Sequence, residues 1–466
     1  MTTSNRHRIQ RQVVEVTIGG GVSAPAIQSR IADAYWNRTV GELEAVFDQV
    51  AGPDRLLRLE RLEVDLGQIT GTDWEPEFRR RLVQELTQSL AQHKQTSEAS
   101  RRAVPTSGAL LEAWQFYLVH GRLPWWAQPP KSPWRDCIPP LLNEVSWAAL
   151  RQTLAQAAAR ARFVDAMEDA VLESAVARWL NIPNTAPLLD TLTRAAGAPP
   201  TPARLGRRRF WLTLLDRACV ASADLPSGPT ILDEALEEYQ RAVGADVPPP
   251  SRAATGPESQ PQAPDAPGQQ APQPGSRQMA RLQSARDKAT PRRPAAPEAS
   301  EPIYLTGAGT IILHPFLEEL FRGRGLLEGR RFRDSDAQHR AVHLLGYLTT
   351  AQTEVAEYEL LLPKALCGCP FEQSLAPVEL EPADLEACDT LLRAVLKHWT
   401  AVRSASLQWL RQGFLLRDGK LERVDQGWRL TVERRAQDVL LARLPWGFGV
   451  VGMPWASEKI YTHWLE

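Results

Sequence analysis

The chain has 466 residues, 54 Lys plus Arg against 55 Asp plus Glu, and five cysteines, Cys137, Cys219, Cys367, Cys369 and Cys388. That length predicts two or three parts with separate cores, and the near-zero charge excludes a global field for nucleic acid or acidic membranes. An odd, scattered cysteine set argues against a disulfide framework and for a reducing compartment. No segment approaches the roughly 20 apolar residues a membrane span needs, and the start "MTTSNRHRIQRQ" lacks the apolar core of a signal peptide, so a cytoplasmic protein is expected.

In chain order, "RQVVEVTI" (11–18) is rich in β-branched residues and is stopped by Gly19-Gly20-Gly21, which predicts a strand. Ser23 and Pro25 open a helical pattern carrying Ile27, Ile31, Tyr35, Leu43, Val46 and Phe47, which ends at Gly52-Pro53. "LERLEVDLG" then alternates Leu62, Val64 and Leu66 with Glu63 and Asp65, the period of a half-buried strand. Phe78, Leu82, Leu86 and Leu90 recur every four residues as on one helix face. Residues 1–95 therefore read as a small βαβα module, α/β in class.

Residues 96–245 become helical after a polar joint, with helices expected near 109–120, 141–161, 164–181, 206–222 and 230–243. Prolines between them favour a bundle of short helices over one long rod. Residues 246–302 hold thirteen prolines, no aromatic residue and almost no branched aliphatics, a composition unable to offset ordering entropy, so a disordered, extended linker is expected there. Seven basic and six acidic residues in it speak against a nucleic-acid tail.

From residue 303 the apolar content returns. Helices are expected at 335–350, 382–399 and 404–414, a hairpin over "KLERVDQGWRLTVE" with Trp428, Leu430 and Val432 on one face, and a last strand in "KIYTHW". Residues 303–466 thus read as an α+β domain, and the whole chain as predominantly helical α+β.

Candidate chemistry is sparse. His339 and His343 share a helix face with Asp336 one turn earlier, but the Glu of a His-Glu-x-x-His site is missing, and a metal is not expected. Cys367-Gly368-Cys369 is too tightly spaced for a zinc knuckle or redox pair. "GRGLLEG" is a poor dinucleotide string, and the arginines at 322, 324, 330, 331 and 333 are interrupted by Glu328 and Asp334. No nucleophile elbow or phosphate loop is present. Catalytic residues and cofactors are therefore set at none.

Fifteen tryptophans are the unusual feature, several of them fixed by proline: "GRLPWWA" with Trp125 and Trp126, Leu444-Pro445-Trp446, and Met453-Pro454-Trp455. A proline limits the backbone freedom that docking would otherwise remove, and tryptophan serves cores and binding hot spots alike. These residues and Trp464 are the candidate protein-interaction set, against the alternative that each packs over its own domain.

"GTIILHPFLEELF", "RAVHLLGYL", "EYELLLPKALCG", "LLRAVLKHW", "GWRLTVE", "DVLLARLPW" and "MPWA" occur in that order. Together they resemble the C-terminal region of the contractile injection system tape measure proteins. "HRIQRQVVEV" with "RLERLEVDLG" is similar to that family's N-terminal region, and "GRLPWWA" to a short motif between. The resemblance covers residues 6–95, 303–466 and an island at 109–127. Gly307-Ala308-Gly309 stands where the family has Asn-Ala-Gly, and Leu362-Pro363-Lys364 where it has Leu-Asn-Lys.

The resemblance implies a non-enzymatic component of a phage-tail-like contractile particle, present in the cytoplasm during assembly of the inner tube on its baseplate, then inside the particle, and setting tube length. Its partners would be tube, baseplate or spike proteins. In this reading the end modules are anchors and the middle a spacer, so deleting 246–302 shortens the particle. Residues 95–302 would give roughly 310 Å if wholly helical. The opposing reading is an assembly chaperone or adaptor that binds tube, baseplate, spike or cargo subunits without measuring. An enzyme in the unassigned middle is the third class.

Overall fold

The computed structural model describes residues 24–35, 39–50, 55–59, 61–71, 73–95, 103–180, 203–220 and 301–464, with residues 7, 9 and 12–18. The proline-rich stretch expected to be a linker lies outside the described residues except for its last two positions, as does the helix expected at 230–243.

Near the N-terminus, α1 (Ala24–Ala34) and α2 (Val40–Val50) pack against α3 (Glu75–Gln95). Their common core is small: Tyr35, Leu43, Val46, Leu86 and Leu90 are buried. The helical periods in the sequence are realised, but the two strands are not. Residues 12–18 form no strand, and Val13, Val14, Val16 and Ile18 are exposed. Along 61–66 the burial does alternate as the sequence does, with Leu62, Val64 and Leu66 half-buried, yet no ladder forms. A strand needs a neighbour to take its N–H and C=O groups, and none stands beside these stretches among the described residues. The βαβα expectation is corrected accordingly. The β-structure here is a short antiparallel pair, β1 (Arg55–Leu57) with β2 (Ala103–Pro105), which joins this part to the next.

The middle is a bundle. α4 (Thr106–His120) buries Ala113, Trp114, Tyr117 and Leu118 in it. α5 (Glu144–Thr153), capped by the Asn143 side chain on the Ser146 N–H, α6 (Ala157–Ala166), α7 (Asp169–Leu180) and α8 (Ala203–Val220) fold back on α4 and on one another. The helix expected over 141–161 is thus two, broken between Leu154 and Gln156. Trp114, Ile138, Leu150, Phe163, Leu172, Trp211 and Leu214 make a core separate from that of the C-terminal part.

The C-terminal part wraps helices around a five-stranded sheet. Its elements are β3 (Ile303–Leu305), α9 (His314–Gly323), the two-residue pair β4 (Leu327–Glu328) and β5 (Arg331–Phe332), α10 (Ser335–Thr350), α11 (Leu361–Leu366), α12 (Pro382–His398), β6 (Gly419–Val424), β7 (Gly427–Val432), β8 (Val450–Gly452) and β9 (Lys459–His463). The sheet order is β3-β6-β7-β9-β8, antiparallel except for the parallel β7–β9 pair. Within β7 the side chains alternate as expected, with Leu430 and Val432 buried and Trp428 half-buried. Gly309 is required by packing: a Cβ there would lie 1.6 Å from the Phe414 carbonyl oxygen. The chain is a predominantly helical α+β protein.

Candidate interaction site

The proline-fixed tryptophans turn inward. Trp446 is half-buried, donates its indole N–H to the Ile312 carbonyl at 2.9 Å, and meets Phe316 edge-on. Trp455, also half-buried, donates to the Leu366 carbonyl at 2.9 Å and packs between Phe321 and Phe332. Trp464 is 1% exposed, donates to Asp438 Oδ2 at 3.0 Å and stands against Phe448. Its expected display to a partner is corrected by that burial: Trp464 is core. Buried indoles need a partner for the N–H, and these carbonyls and this carboxylate supply it.

Trp125 and Trp126 sit in a turn after α4, both half-buried. The Arg58 guanidinium lies 3.6 Å from the Trp126 ring centre and also forks onto the Glu112 carboxylate at 2.7 and 2.6 Å. Trp126 thus ties the N-terminal part to the bundle.

The most constrained polar group was not singled out from the sequence. Arg162 of α6, 1% exposed, leaves its own bundle and meets the Glu357 carboxylate of the C-terminal part, with Nη2 at 3.1 Å and Nε at 3.2 Å. It also donates to the Glu372 carbonyl at 2.7 Å. Its other nitrogen, Nη1, takes the Leu118 and Val119 carbonyls at 2.8 and 3.0 Å, closing the C-terminus of α4. From the other side Lys364, fully buried, reaches Glu357 at 2.5 Å and the Phe371 and Gln373 carbonyls at 3.0 and 2.6 Å. Two buried cations thus share one carboxylate, and backbone carbonyls take the remaining donors. Burial pulls the Lys364 ammonium below its usual range, while Glu357 opposes the shift.

Gly121 roofs this group in the left-handed region, with φ at 67°, and a Cβ there would fall 2.5 Å from Arg162 Nη2 and 2.8 Å from Glu357 Oε1. Tyr358, the next residue after Glu357, points the opposite way into the bundle, edge-on to Tyr117 and Trp134 at 5.6 and 6.0 Å between ring centres. The parts exchange side chains, an arginine in one direction and a tyrosine in the other. Arg122 adds a contact to Glu301 at 3.4 Å.

The histidine pair serves the same loop. His339 Nδ1 accepts the Ala376 N–H at 3.2 Å, and its Nε2 lies 2.9 Å from the Gln373 side-chain nitrogen. His343 Nε2 donates to the Ala376 carbonyl at 3.0 Å. Burial holds His339 below the ordinary imidazole value, reinforced by Lys364 and Arg208. Among the described residues no three His, Cys, Asp or Glu side chains are placed to hold a metal. Burial raises the Cys367 thiol well above its normal value and pushes Cys369 up to about 11. Thiols held protonated in this way are poor nucleophiles. Of the arginine string, Arg324 is held by Asp384 at 2.6 Å, Arg322 by Glu318 at 2.6 Å and Arg333 by Asp334 at 3.1 Å. These arginines are engaged by carboxylates. No helix among the described residues is long and apolar enough to cross a membrane.

Arg162, Glu357 and Lys364 had faint signals: a lysine inside the apolar run "ELLLPKALCG" and a glycine opening "GRLPWWA". Neither signal reveals the partner, because Arg162 and Glu357 are 195 residues apart.

These features define a multi-part protein whose polar and aromatic groups build contacts between its own parts. The chain belongs to the contractile injection system tape measure protein family, whose family model matches residues 6–464. Membership gives it a structural, assembly role in a contractile injection system. No curated protein and no solved structure matches it.

Proposed function

We propose that this chain acts in tube assembly of a contractile particle as a folded adaptor, non-enzymatic, engaging tube, baseplate or spike proteins, and that 246–302 is not its ruler. The observation that carries this reading is the Arg162–Glu357 contact with its Arg122–Glu301 neighbour. Residues 220 and 301 then belong to one docked body, and the stretch between them begins and ends on it. A ruler needs its ends apart. On this reading Trp125, Trp126, Trp446 and Trp455 offer their remaining open ring surface to partners, in the cytoplasm during assembly.

The second reading, favoured by the family's description, is length measurement, which requires the docked parts to separate so that the chain can extend. The two are told apart by particles assembled with deletions of increasing size within 246–295, with tube length read by electron microscopy. Constant length is expected. Length that shortens in step with the deletion overturns the adaptor reading and supports the ruler.

A further inference from the structure

The bundle and the C-terminal part bury separate cores. Arg162 is the crossing residue with the most partners. The receptor for it on the C-terminal side is the Glu357 carboxylate and the Phe371 and Glu372 carbonyls, with Lys364 Nζ bracing the same carboxylate and the Phe371 carbonyl. The loop carrying these carbonyls is itself pinned by His339 and His343 at Ala376 and by Lys364 at Gln373. Three cationic or imidazole side chains of the C-terminal part therefore shape a receiving pocket that a guanidinium completes.

Such a pocket selects its occupant by geometry. The planar guanidinium of Arg162 donates to the Glu357 carboxylate, to the Phe371 and Glu372 carbonyls and, through Nη1, to the Leu118 and Val119 carbonyls, more acceptors than the three N–H groups of an ammonium can serve. An empty pocket would leave Glu357 buried with Lys364 alone and the Glu372 carbonyl without Arg162. Removing one partner of a buried charge group is strongly unfavourable. The complementary packing of Tyr358, edge-on against the stacked Tyr117 and Trp134 rings, fixes the orientation of the two bodies.

We infer that residues 357–376 of the C-terminal part form a binding surface for the α4–α6 face of the helical bundle, with Arg162 as its key, and that this surface holds the two bodies together without the chain that joins them. The inference deepens the folded-adaptor reading and rests on the same contact. The 80 residues from 221 to 300 join the two bodies covalently and so raise the effective concentration of one near the other. The affinity itself resides in the pocket.

The test uses the full chain with a protease site inserted between residues 260 and 270, cut after purification. The two fragments of the otherwise unaltered protein are expected to co-elute in size-exclusion chromatography at micromolar concentration. In Arg162→Ala the fragments bind at least about a hundredfold more weakly and separate, as expected when one of the two cations on a buried carboxylate is removed. Arg162→Lys keeps the charge but loses the fork, and weakens binding about tenfold. Glu357→Gln preserves the side-chain volume and also separates the fragments; it tests the pocket if Arg162→Ala fails to fold. Hydrogen exchange on α8 and α10 of each variant checks that both cores stay folded. Separation of the unaltered fragments, or wild-type affinity in Arg162→Ala and Glu357→Gln, overturns the inference. Tube length is not read here, so failure of the pocket and failure of the adaptor reading are seen in different experiments.

Discussion

The N-terminal part and the C-terminal part use similar residue types with different outcomes. In the C-terminal part the β-branched and aromatic segments find neighbours: β7 lies between β6 and β9, and Ile303, Leu421, Leu430 and Ile460 are buried in one core. In the N-terminal part a run as rich in valine, residues 12–18, finds no ladder among the described residues, and its valines stay exposed beside a core of few buried residues. β-propensity is permission to pair, and pairing needs a second edge. The C-terminal part therefore completes its own sheet and core, whereas the N-terminal part is held through β1–β2 and through Arg58 on Trp126 and Glu112.

The largest effect that sharpens this comparison is at Trp464. Trp464→Ala removes a fully buried ring and leaves Asp438 with one donor fewer, so the C-terminal part should lose about 3–5 kcal/mol in denaturant unfolding. The N-terminal part should keep its hydrogen-exchange protection in that variant; joint loss would break the picture of unequal, separate cores. Leu90→Ala, 1% exposed in the smaller core, should destabilise the N-terminal part by about 2–3 kcal/mol. Exchange in α10 and α12 should not change. A C-terminal response of similar size would show that the two parts unfold together.

The smallest expected effect is with pH. His339 is held below its unfolded value, so the unfolded chain binds the extra proton first, and stability falls as pH drops below about 6.5. The slope from one histidine is at most about 1.4 kcal/mol per pH unit. Asp336 and Glu357 face it with opposite sign to Lys364 and Arg208, and burial leads the shift. His120 and His314 are also pulled down by burial, so the comparison is between wild type and His339→Gln, whose amide can still accept the Ala376 N–H. The variant should show a shallower acid slope in thermal melts of the C-terminal part. An unchanged slope would assign the acid sensitivity elsewhere.

Much of the helical structure was legible in the sequence. The spacing that predicts 335–350 and 382–399 gives α10 at Ser335–Thr350 and α12 at Pro382–His398, because a four-residue apolar recurrence with an Asp334 cap encodes a local structure locally. The hairpin of β6 and β7 was legible for the same reason: its turn and its alternation are contiguous. β3 and the parallel β7–β9 pairing were not, since each depends on a strand distant in sequence. Of the candidate site, the sequence marked Trp125, Trp126, Trp446, Trp455 and Trp464 as unusual but did not say which way they face. Proline fixes φ, and only the carbonyl waiting at Ile312 or Leu366 decides where an indole N–H goes.

By itself the amino-acid sequence determined the predominantly helical α+β class, the scarcity of catalytic and metal-binding patterns, and the ordered motifs of a contractile-system family. All of these are carried by residue type and short-range spacing. The tertiary structure alone decided that Trp464 is core, that residues 12–18 have no partner strand among the described residues, and that Arg162 crosses to Glu357 beside Lys364. The physical reason is that burial of a charge is tolerated only where a partner meets it, and that partner lies nearly two hundred residues away along the chain.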